Sequence, residues 1–176
     1  SVSATLLCTS ALRQQGLSKT DVARLVASGA LVRARQGRYL HANLPATVVA
    51  AARLGVRLDC ISLLELWGIF VLDGSHLHVQ AEVGASRLPP RPAKVVCHWR
   101  VSVAESEDLC TTLVEALTQA CLCQPPRAAI ATLDNAWHLG LIDEAGISEV
   151  FARLPRRLQS LRRLLNPRSE SGAETI

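Results

Sequence analysis

The chain has 176 residues, a formal net charge of +4 and a hydrophobic content of 49%. That length allows one domain or two small ones, the apolar residues are numerous enough to bury a core, and the charge is too small for a histone-like protein. No run reaches the roughly 18 apolar residues of a membrane-spanning helix, so we expect no membrane association and a cytoplasmic protein.

Two short helices are predicted at the N-terminus. Residues 4–15 form the first, and Gly16 separates it from a second helix that ends at Gly29. Ser18 is a good N-cap for the second helix, and Asp21 falls at its third position, which is a capping-box pattern. The apolar stripe of this helix is Val22, Leu25 and Val26, and its other face carries Lys19, Thr20, Ala23 and Arg24.

A basic hairpin is predicted to follow. A Gln-Gly pair at positions 36 and 37 separates LVRAR from RYLH, and a two-residue loop ending in Gly is typical of a β-hairpin. Arg35 would then face Arg38 and Arg33 would face Leu40, so the three arginines would share one face. Crowded cations repel, so we expect either an anionic partner or an edge hairpin protected from pairing with other sheets. The opposite, apolar face would carry Val32, Ala34 and Tyr39.

Helix, turn, helix and basic hairpin is the order of a winged helix-turn-helix. In that fold the second helix lies in the major groove and the hairpin contacts phosphates or the minor groove. We therefore predict a domain that binds double-stranded DNA over residues 1–43. The predicted DNA-binding residues are Ser18, Lys19, Thr20, Arg24, Arg33, Arg35 and Arg38.

The fold class predicted for the whole chain is α+β and mainly helical. The N-terminal winged helix-turn-helix is followed by a small antiparallel sheet packed with a helical C-terminal half, over residues 44–165. The sheet is expected from the segments 76–83 and 94–101. Trp67, Trp99 and Trp137 lie in apolar runs and are expected in the core. Helices are expected near residues 46–55, 58–67, 108–121, 126–139, 143–154 and 156–165.

Six cysteines lie at positions 8, 60, 97, 110, 121 and 123, with no C-x-x-C pair. Most are inside apolar runs, which favours buried free thiols in a reducing compartment over disulfides. Cys97-His98 suggests zinc, but the ligand spacing differs from that of known structural zinc sites. We therefore predict no metal site.

No catalytic residues are predicted. Asp134 and His138 share a helix face, but this spacing more often gives a surface hydrogen bond than a catalytic pair. The chain has no phosphate-binding Gly loop and no nucleophile elbow. We expect no enzyme and no cofactor. The arginines at 153, 156, 157, 162 and 163 form a second basic cluster, which is either a solvated face or a second nucleic-acid contact.

Together these motifs resemble a protein family. GLSKTDVARLVASGALVRARQGRYL is similar to the winged-helix module of AbiEi-type antitoxins, and the resemblance continues through LDCISLLELWGI and HLHVQAEV. TLDNAWHLGLI resembles the corresponding helix of the actinobacterial branch. The resemblance implies a transcriptional regulator that binds its own promoter, with a homodimer possible, and that opposes a nucleotidyltransferase toxin in a type IV toxin–antitoxin pair.

The tail gives a second hypothesis. PRSESGAETI resembles the junction at which many actinobacterial members continue into a Vsr-like endonuclease of the PD-(D/E)XK kind, with Glu174 in its first helix, so residues 166–176 would be a linker or the start of that domain. The Asp and Glu-x-Lys metal site of such a nuclease is absent from the 176 residues, so catalysis would belong to a parent protein that extends beyond Ile176. A third hypothesis is a protein–protein interaction module that uses the helical half, residues 108–165.

Overall fold

A computed structural model gives the structure of the chain and describes residues 5–166. The strands are β1 (Leu7–Cys8), β2 (Leu31–Arg35), β3 (Arg38–His41), β4 (Arg57–Leu58), β5 (Leu77–Ala81) and β6 (Val95–Trp99). The helices are α1 (Thr9–Gln14), α2 (Lys19–Ala27), α3 (Ala46–Arg53), α4 (Cys60–Leu66), α5 (Leu113–Cys123), α6 (Pro126–His138), α7 (Glu144–Arg153) and α8 (Arg156–Gln159), followed by a 3₁₀ helix, Ser160–Leu164. The predicted helix start at Ala4 and all but the first residue of the predicted linker lie outside the described residues.

The first part of the chain forms a three-stranded antiparallel sheet in the order β1-β3-β2, packed against α1 and α2. The first predicted helix is shorter than expected because Leu7 and Cys8 pair with β3 as a strand. The helix therefore begins at Thr9, with Cys8 as its N-cap. The second helix is confirmed, including its capping box and the positive φ of Gly29 at its end.

The β2–β3 hairpin forms around the predicted loop, but its register differs from the predicted one. Arg35 pairs with Arg38 as expected, whereas Arg33 pairs with Tyr39 rather than Leu40, because the ladder is irregular between Arg33 and Arg35. An extra residue in one strand of a ladder moves every side chain beyond it to the other face. The prediction that the three arginines share one face is therefore wrong.

The second sheet is mixed, with the order β4-β5-β6. Strand β4 pairs antiparallel with β5, but β5 and β6 run parallel, with Leu77 opposite Val95. The predicted antiparallel pairing of these two segments is therefore wrong. The connection over residues 82–94 returns to the end of the sheet at which β5 begins. Strand β6 therefore runs in the same direction as β5.

Helices α3 to α7 and the second sheet form the larger of two cores, in which Leu58, Leu64 and Leu117 are fully buried. The smaller core contains Leu12, Val22 and Leu31. The hairpin contributes to both, since Leu40 of β3 belongs to the larger core. The α+β class is confirmed. Trp99 is 48% exposed, so its predicted place in the core is wrong.

Among residues 5–166, no helix is both long enough and apolar enough to cross a membrane.

Candidate nucleic-acid interface and a cysteine-histidine cluster

Helix α2 is fixed in position by its first turn and its apolar stripe. The Ser18 hydroxyl accepts a hydrogen bond from the Asp21 backbone N–H at 3.2 Å, and the Asp21 carboxylate accepts one from the Ser18 backbone N–H at 2.9 Å. Val22 is buried in the smaller core, and Leu25 and Val26 pack against it. The opposite side of the helix is exposed to solvent and carries Lys19, Thr20, Ala23 and Arg24.

A groove with a volume of about 630 Å³ lies between the two N-terminal helices and the hairpin. Arg13 of α1, Lys19 of α2 and Arg33 of β2 line it, and all three side chains are exposed. Apolar side chains, including Val26 and Tyr39, line the same groove. The groove is therefore lined by cationic side chains from three elements and by apolar side chains.

The predicted DNA-binding residues divide into two groups. Lys19 and Arg33 line the groove, and Thr20 and Arg24 are exposed on the solvent side of α2. The Arg24 guanidinium also lies 3.6 Å from the Asp21 carboxylate, in a pair that is exposed and therefore weak. Ser18 also lines the groove, but its hydroxyl is engaged by Asp21 within the capping box.

Arg35 and Arg38 lie elsewhere. They line a second groove, between the hairpin and the second sheet, together with Arg57, Glu82 and Asp108. The Arg35 guanidinium donates a hydrogen bond to the Arg87 carbonyl at 3.4 Å. These two arginines therefore share a groove with carboxylates of the protein itself.

The carboxyl of Glu107 shows the electrostatic effect of this arrangement. A hydrogen bond from Ser106 lowers the pKa of Glu107, and the positive charges of Arg38 and Arg57 lower it further. Arg38 therefore interacts electrostatically with a carboxylate of the chain itself.

A second chemical feature lies beside the larger core, where four side chains from four elements meet. Cys60 is the first residue of α4, His78 is in β5, His98 is in β6 and Cys123 is the last residue of α5. One potential ligand atom from each of these side chains lies within 4.8 Å of the others. Nδ1 of His78 is 3.1 Å from Nε2 of His98, which is in turn 3.8 Å from Sγ of Cys123.

The two thiols of this cluster have opposite pKa shifts. Burial raises the pKa of Cys60, and its contact with Cys123 raises it further. The hydrogen bond with Cys60 lowers the pKa of Cys123, and hydrogen bonds with the two histidines act in the same direction. The cluster therefore favours a thiolate at Cys123, close to groups that can donate to it.

This cluster is not among the sites predicted from the sequence, because its members are distant in the chain. Cys97, which the sequence suggests as the companion of His98 in a zinc site, points to the other side of β6 and packs against the larger core. The cysteines are free, as expected, but they are not uniformly buried, since Cys123 is exposed. The pairing of β5 with β6, and the packing of α5 on α4, bring the four residues together.

Comparison of the chain with protein-family models and with curated proteins gives no match.

Proposed function

We propose that this protein binds double-stranded DNA through the exposed face of α2 and the adjoining Arg33 side of the hairpin. The element order β1-α1-α2-β2-β3, with β1 next to β3, agrees with a winged helix-turn-helix from its first strand onwards. In that fold α2 is the recognition helix. Its outward side chains are small, polar or basic, which suits the edges of bases and the phosphates that flank them.

The observation that carries the proposal is the group of cations around one groove. Arg13, Lys19 and Arg33 come from three elements and line it, and Arg24 is exposed on the solvent side of α2. Of these, only Arg24 has an ion pair with a carboxylate within the described part of the chain. Cations that the protein leaves unneutralised are available to replace the counterions of DNA, which is the main source of affinity in such complexes.

The structure changes which residues we assign to DNA. Lys19, Thr20, Ala23 and Arg24 would lie in or near the major groove, and Arg33 would contact a phosphate, with Arg13 added as a further phosphate contact. Arg35 and Arg38 are no longer assigned to DNA, because they face the second groove and its carboxylates. Ser18 is assigned to holding the helix.

The finer biological role belongs to the same proposal and is supported by the sequence resemblance. The protein would be an AbiEi-type autoregulator in the cytoplasm, paired with a nucleotidyltransferase toxin. The free state of its cysteines suits a reducing compartment of this kind.

Fluorescence anisotropy with a labelled DNA duplex tests the proposal. The triple variant K19A/R24A/R33A is compared with the parent at several salt concentrations. If each of the three cations makes one phosphate contact, the slope of log K against log salt should fall in magnitude by about 2.7, since each contact contributes ~0.9. The affinity should fall as well.

The matched control is R91A/K94A/R127A, which removes the same charge from exposed positions outside both the proposed interface and the second basic cluster. This variant should keep the affinity and slope of the parent. Equal losses in both triple variants would indicate attraction by net charge alone and would contradict the proposal. A duplex from the region upstream of the source gene, compared with a scrambled duplex of equal length, then tests autoregulation.

A further inference from the structure

We propose that Cys60, His78, His98 and Cys123 form a tetrahedral binding site for a divalent transition metal, with Zn²⁺ as the preferred ion. The donor set is two thiols and two imidazoles, which is the Cys₂His₂ combination of structural zinc sites. Soft sulfur with imidazole nitrogen in tetrahedral geometry selects zinc over magnesium or calcium. The site is independent of the proposed DNA interface.

The distances fit one ion at the centre of the four atoms. Zinc binds sulfur at about 2.3 Å and imidazole nitrogen at about 2.0–2.1 Å, so a tetrahedron has edges of about 3.3 Å between nitrogens and about 3.6 Å between nitrogen and sulfur. The nitrogens of His78 and His98 are 3.1 Å apart, and the corresponding distance from His98 to the Cys123 sulfur is 3.8 Å. All four atoms lie within 4.8 Å of one another, so none needs a large movement to reach a shared ion.

The backbone around Cys60 is unusual in a way that serves this arrangement. Cys60 has a φ of +51°, which residues other than glycine rarely adopt. The preceding residue, Asp59, occupies the N-cap position, but its carboxylate bonds to Arg100 and Thr111 instead of capping the helix. The strained backbone is therefore at Cys60, which supplies the more buried of the two thiols in the cluster.

Neighbouring groups hold the proposed ligands in position, as the surroundings of metal sites commonly do. The Ser62 hydroxyl accepts a hydrogen bond from the backbone N–H of His78 at 2.9 Å, which fixes β5 against α4. The side-chain amide of Gln119 donates to the Cys123 sulfur at 3.5 Å. An N–H donor beside a cysteine sulfur stabilises the thiolate that a metal requires.

The burial of the four residues fits a site loaded from one side. Cys60 and His78 are buried, His98 is half-buried and Cys123 is exposed. A cavity of about 330 Å³ borders His78 and Cys123 and opens to solvent. A metal can enter from the Cys123 side, and four protein ligands leave no open position for a substrate. The ion would thus be structural and would fasten the ends of α4 and α5 to the β5–β6 strands.

Metal analysis of the full chain, purified with a reductant and without chelator, gives the first test. We expect about one Zn²⁺ per chain. After removal of the metal, titration with Co²⁺ should give the visible absorption of a tetrahedral ion together with a thiolate-to-cobalt charge-transfer band. Addition of Zn²⁺ should then displace the cobalt and raise the melting temperature.

Variants at the accessible ligands assign the site. C123S and H98N should each lower the Zn²⁺ affinity by more than about 100-fold, which exceeds the loss expected for a residue that only supports a ligand. The controls C97S and H76N alter the cysteine beside His98 and a nearby histidine, and they should bind metal as the parent does. Circular dichroism of each metal-free protein confirms that it is folded.

Three results would overturn the inference. The first is a folded, reduced parent protein that takes up no stoichiometric Zn²⁺. The second is a cobalt spectrum of octahedral type, which would place the ion on surface oxygen ligands. The third is a loss of binding in C97S or H76N as large as that in C123S.

Discussion

Nη2 of Arg100 donates hydrogen bonds to both oxygens of the buried Asp59 carboxylate, at 2.7 Å and 2.8 Å. The Thr111 hydroxyl donates a third hydrogen bond to Asp59 at 2.5 Å. Nη1 of Arg100 is also buried and lies 3.9 Å from the Glu115 carboxylate. One guanidinium therefore compensates a carboxylate that has no access to water, at the point where β4 ends and α4 begins.

We expect R100M to destabilise the protein by about 3–5 kcal/mol. The substitution preserves much of the side-chain volume but leaves the Asp59 charge buried without its partner, which is strongly unfavourable. Urea denaturation at neutral pH measures the loss. The matched control is R127M, at an exposed arginine of α6, which should change the free energy of unfolding by less than about 0.5 kcal/mol.

The double variant D59N/R100M separates charge from packing. Because it removes the uncompensated charge, it should be more stable than R100M alone. If the double variant is less stable than R100M, the loss in R100M reflects packing, and the explanation from buried charge is wrong.

The two faces of the hairpin give a sharper test of the proposed DNA interface. Arg33 lies on the groove with Tyr39, whereas Arg38 faces Glu82 and Asp108 across the second groove. We expect R33A to lower the salt slope of DNA binding by about 0.9, the contribution of one phosphate contact. R38A should leave the slope unchanged.

Each of these variants is a control for the other, since both remove one arginine from the same hairpin. Anisotropy titrations with a single duplex over a range of salt concentrations measure both slopes. If R38A reduces the slope as much as R33A does, the hairpin presents both faces to DNA, and our assignment of Arg38 to an intramolecular role is wrong.

The capping box of α2 predicts a graded effect at Ser18. S18A removes the acceptor of the Asp21 N–H and should lower the free energy of unfolding by about 1 kcal/mol. S18G should lower it by only a few tenths of a kcal/mol. S86A, at an exposed loop serine, is the control. Equal losses in S18A and S18G, measured in urea, would contradict a capping role.

The sequence predicted well those features that depend on neighbouring residues. The capping box at Ser18, the glycine that ends α2 and the start of α6 at Pro126 all follow from residues a few positions apart. The hairpin loop was also correct, because Gly37 adopts the positive φ that the turn requires. The irregular ladder beside Arg33 has no signal in the order of the residues. It places Arg33 on the face of the hairpin opposite to the predicted one.

Features that depend on distant residues could not be read in this way. The parallel pairing of β5 with β6 is decided by the path of the connecting loop, and the pattern of alternating residues is the same for both strand directions. The Cys60, His78, His98 and Cys123 cluster depends on that pairing, so its absence from the predictions has the same cause. The partner of Asp59, forty-one positions away, likewise had no local signal.

The environment of Glu115 leads to a prediction about acid stability. Glu115 is buried and accepts hydrogen bonds from the Thr112 N–H at 3.1 Å, the Ser102 hydroxyl at 3.1 Å and the Val103 N–H at 3.2 Å. Burial by itself raises the pKa of Glu115, but these hydrogen bonds outweigh it and leave the pKa below its usual value. The ionised form is therefore the one that the fold stabilises.

We expect E115Q to destabilise the protein by about 1–3 kcal/mol at pH 7, because hydrogen bonds to a charged acceptor are lost. Since folding lowers the pKa of Glu115, its contribution is complete above the usual value of 4.5 and is lost as the pH falls through the folded-state pKa. The difference between parent and E115Q in urea denaturation should thus be constant from pH 7 to about pH 5 and shrink below it. E105Q, at an exposed glutamate, is the control. A difference that does not shrink in acid would mean that the charge of Glu115 contributes nothing to stability.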